Sequence, residues 1–466
     1  MDERSFARAL GRGLGSAIVE LRARGGSAHR DVLMRCCLRD ISFDWQCEGT
    51  KGWYLHEAIV ATGEPERYEG PIIERFLSRC AFRLSCQLAD VLLGLAEDGS
   101  AAARDALWTK YERFAVRGGR LDPWIDEGSQ WAQLAARLMR LDGLPALRRW
   151  ATDAGRILLR DPTNENDAVD DLFFWDGAED VFGERRVRAF IERTVKRSRY
   201  VRALVGAVEA RREEWRRPMP EREPPTLEGF VRAVREELAG GIPRDASLWY
   251  EIRTIGGAFG FARSATEGEL VELARIVLAE EDATVRSFLL RPFGLSLSRP
   301  HGRPLPAWPL DIAPLMDWAW SDDWRLSWAA IDCLTKSKDP RAHDLAVRLL
   351  EARGLGSHAL DLIEAMWRRS DDVLIARLAR RATGISHDAQ LTIREIYRRH
   401  RSPAAGDILL AAYRKGPCAL CRYYIVRAMH RQGALTDEIF EELQWDSYDE
   451  TRAWARRICA RRSRGA

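Results

Sequence analysis

From Trp324 to the C-terminus the chain is punctuated at a nearly constant interval: helix starts are expected near Trp324, Ser357, Ser386, Pro417 and Tyr448, spaced 33, 29, 31 and 31 residues apart. A period of this length restricts the fold more than any bulk property does. It accommodates two short helices and a turn, each helix carrying one apolar face. A single pair cannot bury both faces, so successive pairs must stack.

The start signals have physical reasons. Asp339-Pro340 and Ser402-Pro403 each offer an N-cap acceptor followed by a proline whose missing N–H is no loss in the first turn. Ser357 and Ser386 are N-cap candidates following Gly356 and Gly384, residues suited to closing the preceding helix, and Ser447 with Glu450 has capping-box spacing. Apolar positions recur with the helical period: Trp324, Trp328, Ile331 and Leu334; Leu360, Ile363 and Met366; Cys421, Tyr424, Ile425 and Ala428; Ile439 and Leu443.

Over residues 322–466 this register resembles HEAT-like repeat proteins. Asp322, Asp323 and Arg325 at one unit start, and Asp282 through Arg286 at an earlier one, are similar to the Asp/Arg pattern of that family. The resemblance implies an all-α fold, an α-α superhelix of the solenoid type, with an N-terminal helical region before it. It also implies a non-enzymatic scaffold or adaptor that presents an extended surface to a macromolecular partner.

Upstream, helices are expected over 72–82, 85–96, 101–114, 131–141, 144–158 and 187–214, and no stretch alternates with period two for long enough to argue a sheet. The proline-rich run from Arg217 to Thr226 reads as a connector, which divides the chain into a helical region over 1–216, possible divergent repeats included, and an array over 227–466. Six prolines between Arg291 and Pro314 interrupt that array with an irregular loop.

Apolar residues at 46% and charged residues at 31% describe a chain that folds. Nine cysteines, two of them adjacent at Cys36 and Cys37, argue against a secreted disulfide framework. No stretch approaches the roughly 18 apolar residues of a membrane span, so a cytoplasmic protein with no membrane partner is expected.

Catalytic and metal motifs are weak. Cys418-Ala419-Leu420-Cys421, with His430 beyond it, has CxxC spacing but no second ligand pair, and Cys36, Cys37, Cys47, His29 and His56 match no familiar metal site. Gly11, Gly13 and Gly15 follow no strand, so they are not a dinucleotide fingerprint. No cofactor, metal or catalytic residue is expected.

Two features point to binding. Trp320, Trp324 and Trp328 share a helical face if the helix extends back that far; they either fill the core or form an aromatic surface for stacking. Between Met366 and Leu435 there are 14 basic and five acidic residues, in a chain whose net charge is only +3. Arg368, Arg369, Arg398, Arg399, Arg401, Arg427 and Arg431, with Arg456 and Arg457 of the tail, are the candidate contact residues. As a ridge they would suit an acidic protein surface or a phosphate backbone. The same arginines could instead complete helix C-termini. A protein partner is therefore expected first; the alternative is a nucleic-acid-binding HEAT-like protein, including a glycosylase-like, DNA base-processing enzyme.

Overall fold

The computed structural model describes residues 1–116, 127–160, 172–217, 224–239, 257–294, 306–354, 358–381 and 384–465. Pro218 and Pro220 of the expected connector, the N-cap candidate Ser357 with Gly356, and Pro300 and Pro304 lie outside them. Among the described residues the secondary structure is helical throughout, with no strand.

The chain forms two compact units, and the first is discontinuous in sequence. It takes Met1–Met219 together with Cys418–Tyr423 and Thr436–Ala466; the second takes Pro220–Pro417 and Tyr424–Leu435. The last two helices, Asp437–Leu443 and Asp449–Gly465, therefore belong to the same unit as the N-terminus.

Glycines make that closure possible. The helix Glu3–Arg12 begins at the Asp2 side chain and ends at Gly13, whose φ of 75° is the left-handed conformation that a side chain disfavours. The next helix, Gly15–Arg24, packs on Asp437–Leu443 so closely that a Cβ on Gly15 would lie 1.7 Å from the Glu442 carbonyl oxygen. The G-x-G-x-G run thus ends one helix and seats the next. Arg22 lies 3.5 Å from the centroid of the Trp445 ring, and Arg452 lies 3.6 Å from that of Trp53.

Elsewhere the mainly aliphatic core of the first unit includes a run of aromatic rings. Tyr111, Trp131 and Trp150 pack in succession as tilted ring pairs, with centroids 5.7 and 6.0 Å apart, and Trp150 is wholly buried. The helix expected over 187–214 is two helices, Glu184–Val195 and Arg199–Arg216, because the Ser198 hydroxyl accepts the Val201 N–H and starts a new one.

In the second unit, Asp323 caps Trp324–Leu334, Asp339 caps Pro340–Arg353 with Pro340 in the first turn, and Ser386 caps His387–Arg399. The helices Trp324–Leu334, Ala359–Met366 and His387–Arg399 pack in succession. Other caps differ from expectation. Ser402 accepts the Ala404 N–H within a turn, and the helix starts only at Ala405. Gly354, with φ of 72°, closes the helix Pro340–Arg353. In the first unit, the Ser447 hydroxyl accepts from Arg422, and the next helix starts at Asp449.

One device recurs in both units. The last carbonyls of a helix lack intrahelical donors, and here they accept from the end of another helix 33 to 36 residues later. Lys110 and Arg113 donate to Phe76 and Leu77 at 2.6 and 2.9 Å. Lys415 donates to Ala379 and Arg380, both at 2.8 Å. Arg431 and Gln432 donate to Arg398 and Tyr397, both at 2.8 Å. Arg353 donates in the same way to Trp320, in the turn that follows the helix Ala313–Trp318, at 2.8 Å.

Candidate functional site

The tryptophan run does not fill the core. Trp324 is 52% exposed at the first turn of its helix, and its ring stacks on half-buried Trp328 at 6.0 Å. Trp328 stacks in turn on His358, from the next helix pair, at 4.8 Å and 9°. The helix does not extend back to Trp320, which is 37% exposed on the preceding turn with its ring 5.3 Å from Arg353. The face that is buried runs instead through Leu326, Ala329, Ala330, Cys333 and Leu334. Tyr424, also expected to face inward, is exposed beside Arg394.

One turn beyond Trp328 lies Asp332. Burial raises its carboxyl to about 7, with Asp361 adding to the shift and Arg291, His358 and Lys336 opposing it. Arg291 is 5% exposed and its guanidinium carbon lies 5.2 Å from the centroid of the Trp328 ring, while its Nε and Nη2 have no hydrogen-bond partner among the described residues. That pair of N–H groups is the edge with which arginine holds a carboxylate or phosphate. Asp361 accepts from the Thr392 hydroxyl at 2.5 Å and holds the His358 imidazole above its usual range. The cluster thus joins a stacked aromatic face, a carboxyl that can carry or release a proton near neutrality, and a buried guanidinium whose Nε and Nη2 are unpartnered among the described residues.

The candidate arginines are all exposed, but several are already paired. Arg394, Arg398 and Arg399 converge on Glu395, at 3.2 and 2.8 Å for Arg394 and Arg399, and hold its carboxyl down to about 2, with the Arg398 hydrogen bond the largest cause. Arg399 also reaches Glu364 of the preceding helix pair at 2.5 Å. Arg431 serves as a helix cap. Arg368, Arg369 and Arg401 have no ion pair among the described residues. Arg427 lies on Ala419–Gln432, whereas Arg456 and Arg457 sit in Asp449–Gly465 of the first unit. The pairing in the second unit is thus mixed: Arg398 is held by an acid of its own helix, and Arg399 also by one of a neighbouring helix.

Cys418 and Cys421 are buried, and His430 is exposed at the end of the helix they begin. The N-terminal cysteines and histidines are held apart by other partners: His29 stacks on Phe6 at 4.0 Å, His56 pairs with Asp98 at 2.8 Å, and Cys47 is exposed. Among the described residues no helix is long and apolar enough to cross a membrane.

Sequence reasoning passed over Asp332, Arg291 and His358. The signal for Asp332 was its place four residues after Trp328; Arg291 and His358 reach the cluster through tertiary packing alone. No family model, curated protein or solved structure matches the chain.

Proposed function

We propose that this protein is a HEAT-like helical scaffold whose second unit binds a macromolecular partner, a protein first, with Trp324 as the anchor. The observation that carries this reading is the half-exposed indole of Trp324, resting on Trp328 and His358 in a unit whose other large apolar side chains are mostly buried. Rigid aromatic side chains are the residues that most often concentrate binding energy at interfaces. The surrounding Arg/Glu pairs have the character of a polar rim and do not make a continuous phosphate track. The successive packing of helix pairs and their shared spacing of end caps support the superhelical arrangement that the family resemblance implies.

Photo-crosslinking from position 324, followed by binding of the purified captured partner, tests this. Trp324→Ala should weaken that binding at least about tenfold, as removal of an anchor does. Unchanged binding would refute the assignment.

A second reading rests on Asp332. A carboxyl that titrates near 7 beside an aromatic stack suits a nucleic-acid base-processing enzyme on the same scaffold. Gel retardation with duplex, single-stranded and RNA probes at about 50 mM salt separates the two. Absence of binding to every probe ends the second reading.

A further inference from the structure

The first unit holds a groove that the aromatic cluster does not involve. It measures about 730 Å³ and is lined along the helix Leu144–Arg160 by Leu144, Pro145, Arg148, Arg149, Thr152, Asp153 and Arg156, with Phe190 from Glu184–Val195. This is the size of a metabolite site.

Its charge is organised from below. Asp153 is 5% exposed and takes Arg149 Nε at 2.8 Å on one oxygen and Arg156 Nη1 at 3.0 Å on the other. The Tyr111 hydroxyl donates to the same carboxylate at 3.3 Å. The carboxylate is thereby occupied, and it fixes two guanidiniums on side chains that stay about half exposed, Arg156 also lying 5.2 Å from the centroid of the Tyr200 ring. Arg148 adds a third guanidinium, exposed and without an ion pair among the described residues. A structural ion pair to Asp153 needs neither Arg148 nor a cavity beside it. Among the described lining residues three guanidiniums stand against one carboxylate, a balance that a dianion would neutralise. The apolar edge of Leu144, Pro145 and Phe190 offers contact to a carbon skeleton.

We propose that this groove binds a small phosphorylated metabolite, its phosphoryl group held by Arg148 and Arg149 with Arg156, and its carbon body over Phe190. Arginine matches phosphate oxygens in paired hydrogen bonds. Asp153 acts as a positioning residue beneath them.

Calorimetric titration of the full chain decides this, using adenosine 5′-monophosphate, glucose 6-phosphate and inorganic phosphate beside adenosine, glucose and sulfate. At least one phosphorylated probe should bind with Kd below about 1 mM, its unphosphorylated counterpart should not bind, and sulfate at equal ionic strength should bind more weakly. Arg148→Gln leaves the Asp153 pairs intact, so the fold should be unchanged by circular dichroism while affinity drops at least about tenfold. Absence of binding by any phosphorylated probe at about 10 mM, equal binding of sulfate, or wild-type affinity in Arg148→Gln would each overturn the proposal. Vesicles of phosphatidylcholine with phosphatidic acid form the last arm. Binding to them that no free phosphorylated probe competes would assign the groove to a lipid headgroup and reject the metabolite.

Discussion

Arg422 and Asp446 form an ion pair at 3.2 Å in which neither side chain reaches solvent. The same guanidinium donates to the Gly13 carbonyl at 3.3 Å and to the Ser447 hydroxyl at 3.2 Å, so one side chain joins the end of the first helix to a segment more than 400 residues later. Removing one partner leaves the other charge buried. Arg422→Met should destabilise the protein by roughly 3–5 kcal/mol, and adding Asp446→Leu should recover much of that. Urea unfolding of the single and double variants measures both. A single variant as stable as wild type would contradict the pair's role.

Lys415 should protect a helix other than its own. Lys415→Met removes both hydrogen bonds to the end of Asp371–Arg381, for a loss of about 1 kcal/mol. Amide hydrogen exchange should quicken at that distant end rather than within Ala405–Lys415.

Glu395 masks basic charge. Its folded carboxyl sits near 2, below the ordinary 4.5, so its contribution is present above pH 4.5 and is lost as pH falls through 2. Glu395→Gln should therefore cost roughly 0.5–1 kcal/mol at neutral pH and nothing near pH 2. It should also free Arg398, while Arg399 keeps Glu364, and this is read as later elution from a heparin column.

Asp332 has the opposite sign. Its folded carboxyl is raised from 3.8 to about 7, so the folded state holds the proton more tightly, and this residue's effect on stability worsens as pH rises from 3.8 to about 7. Asp332→Asn, which cannot ionise, should gain stability relative to wild type between pH 5 and pH 8. Thermal unfolding across that range, with a constant difference, would rule the shift out.

Two tryptophans should behave differently. Trp150, wholly buried, should lose about 3–5 kcal/mol on replacement by Ala. Trp324→Ala should change stability by less than about 1 kcal/mol, since half of its surface is already in water.

The helical class was legible because periodicity and caps are local. Asp339-Pro340 and Ser386 act at the ends where their side chains suggest. Ser447 was misread because a buried arginine, distant in sequence until the fold forms, competes for its hydroxyl. Trp324 stayed open between core and aromatic surface because hydrophobicity alone cannot distinguish a residue that packs from one that is presented to solvent. The arginine excess was legible as charge but not as chemistry. Whether a guanidinium is bare or bound to Glu364 depends on which helices become neighbours.

The end caps carry one more consequence. Because three helix ends and the turn at Trp320 are completed by residues 33 to 36 positions further on, those stretches can be lengthened or shortened without harm only in whole helix pairs. A splice of half that length would leave one set of carbonyls bare and one cation without a target. Circular permutants and chimeras of this protein should be cut to that modulus.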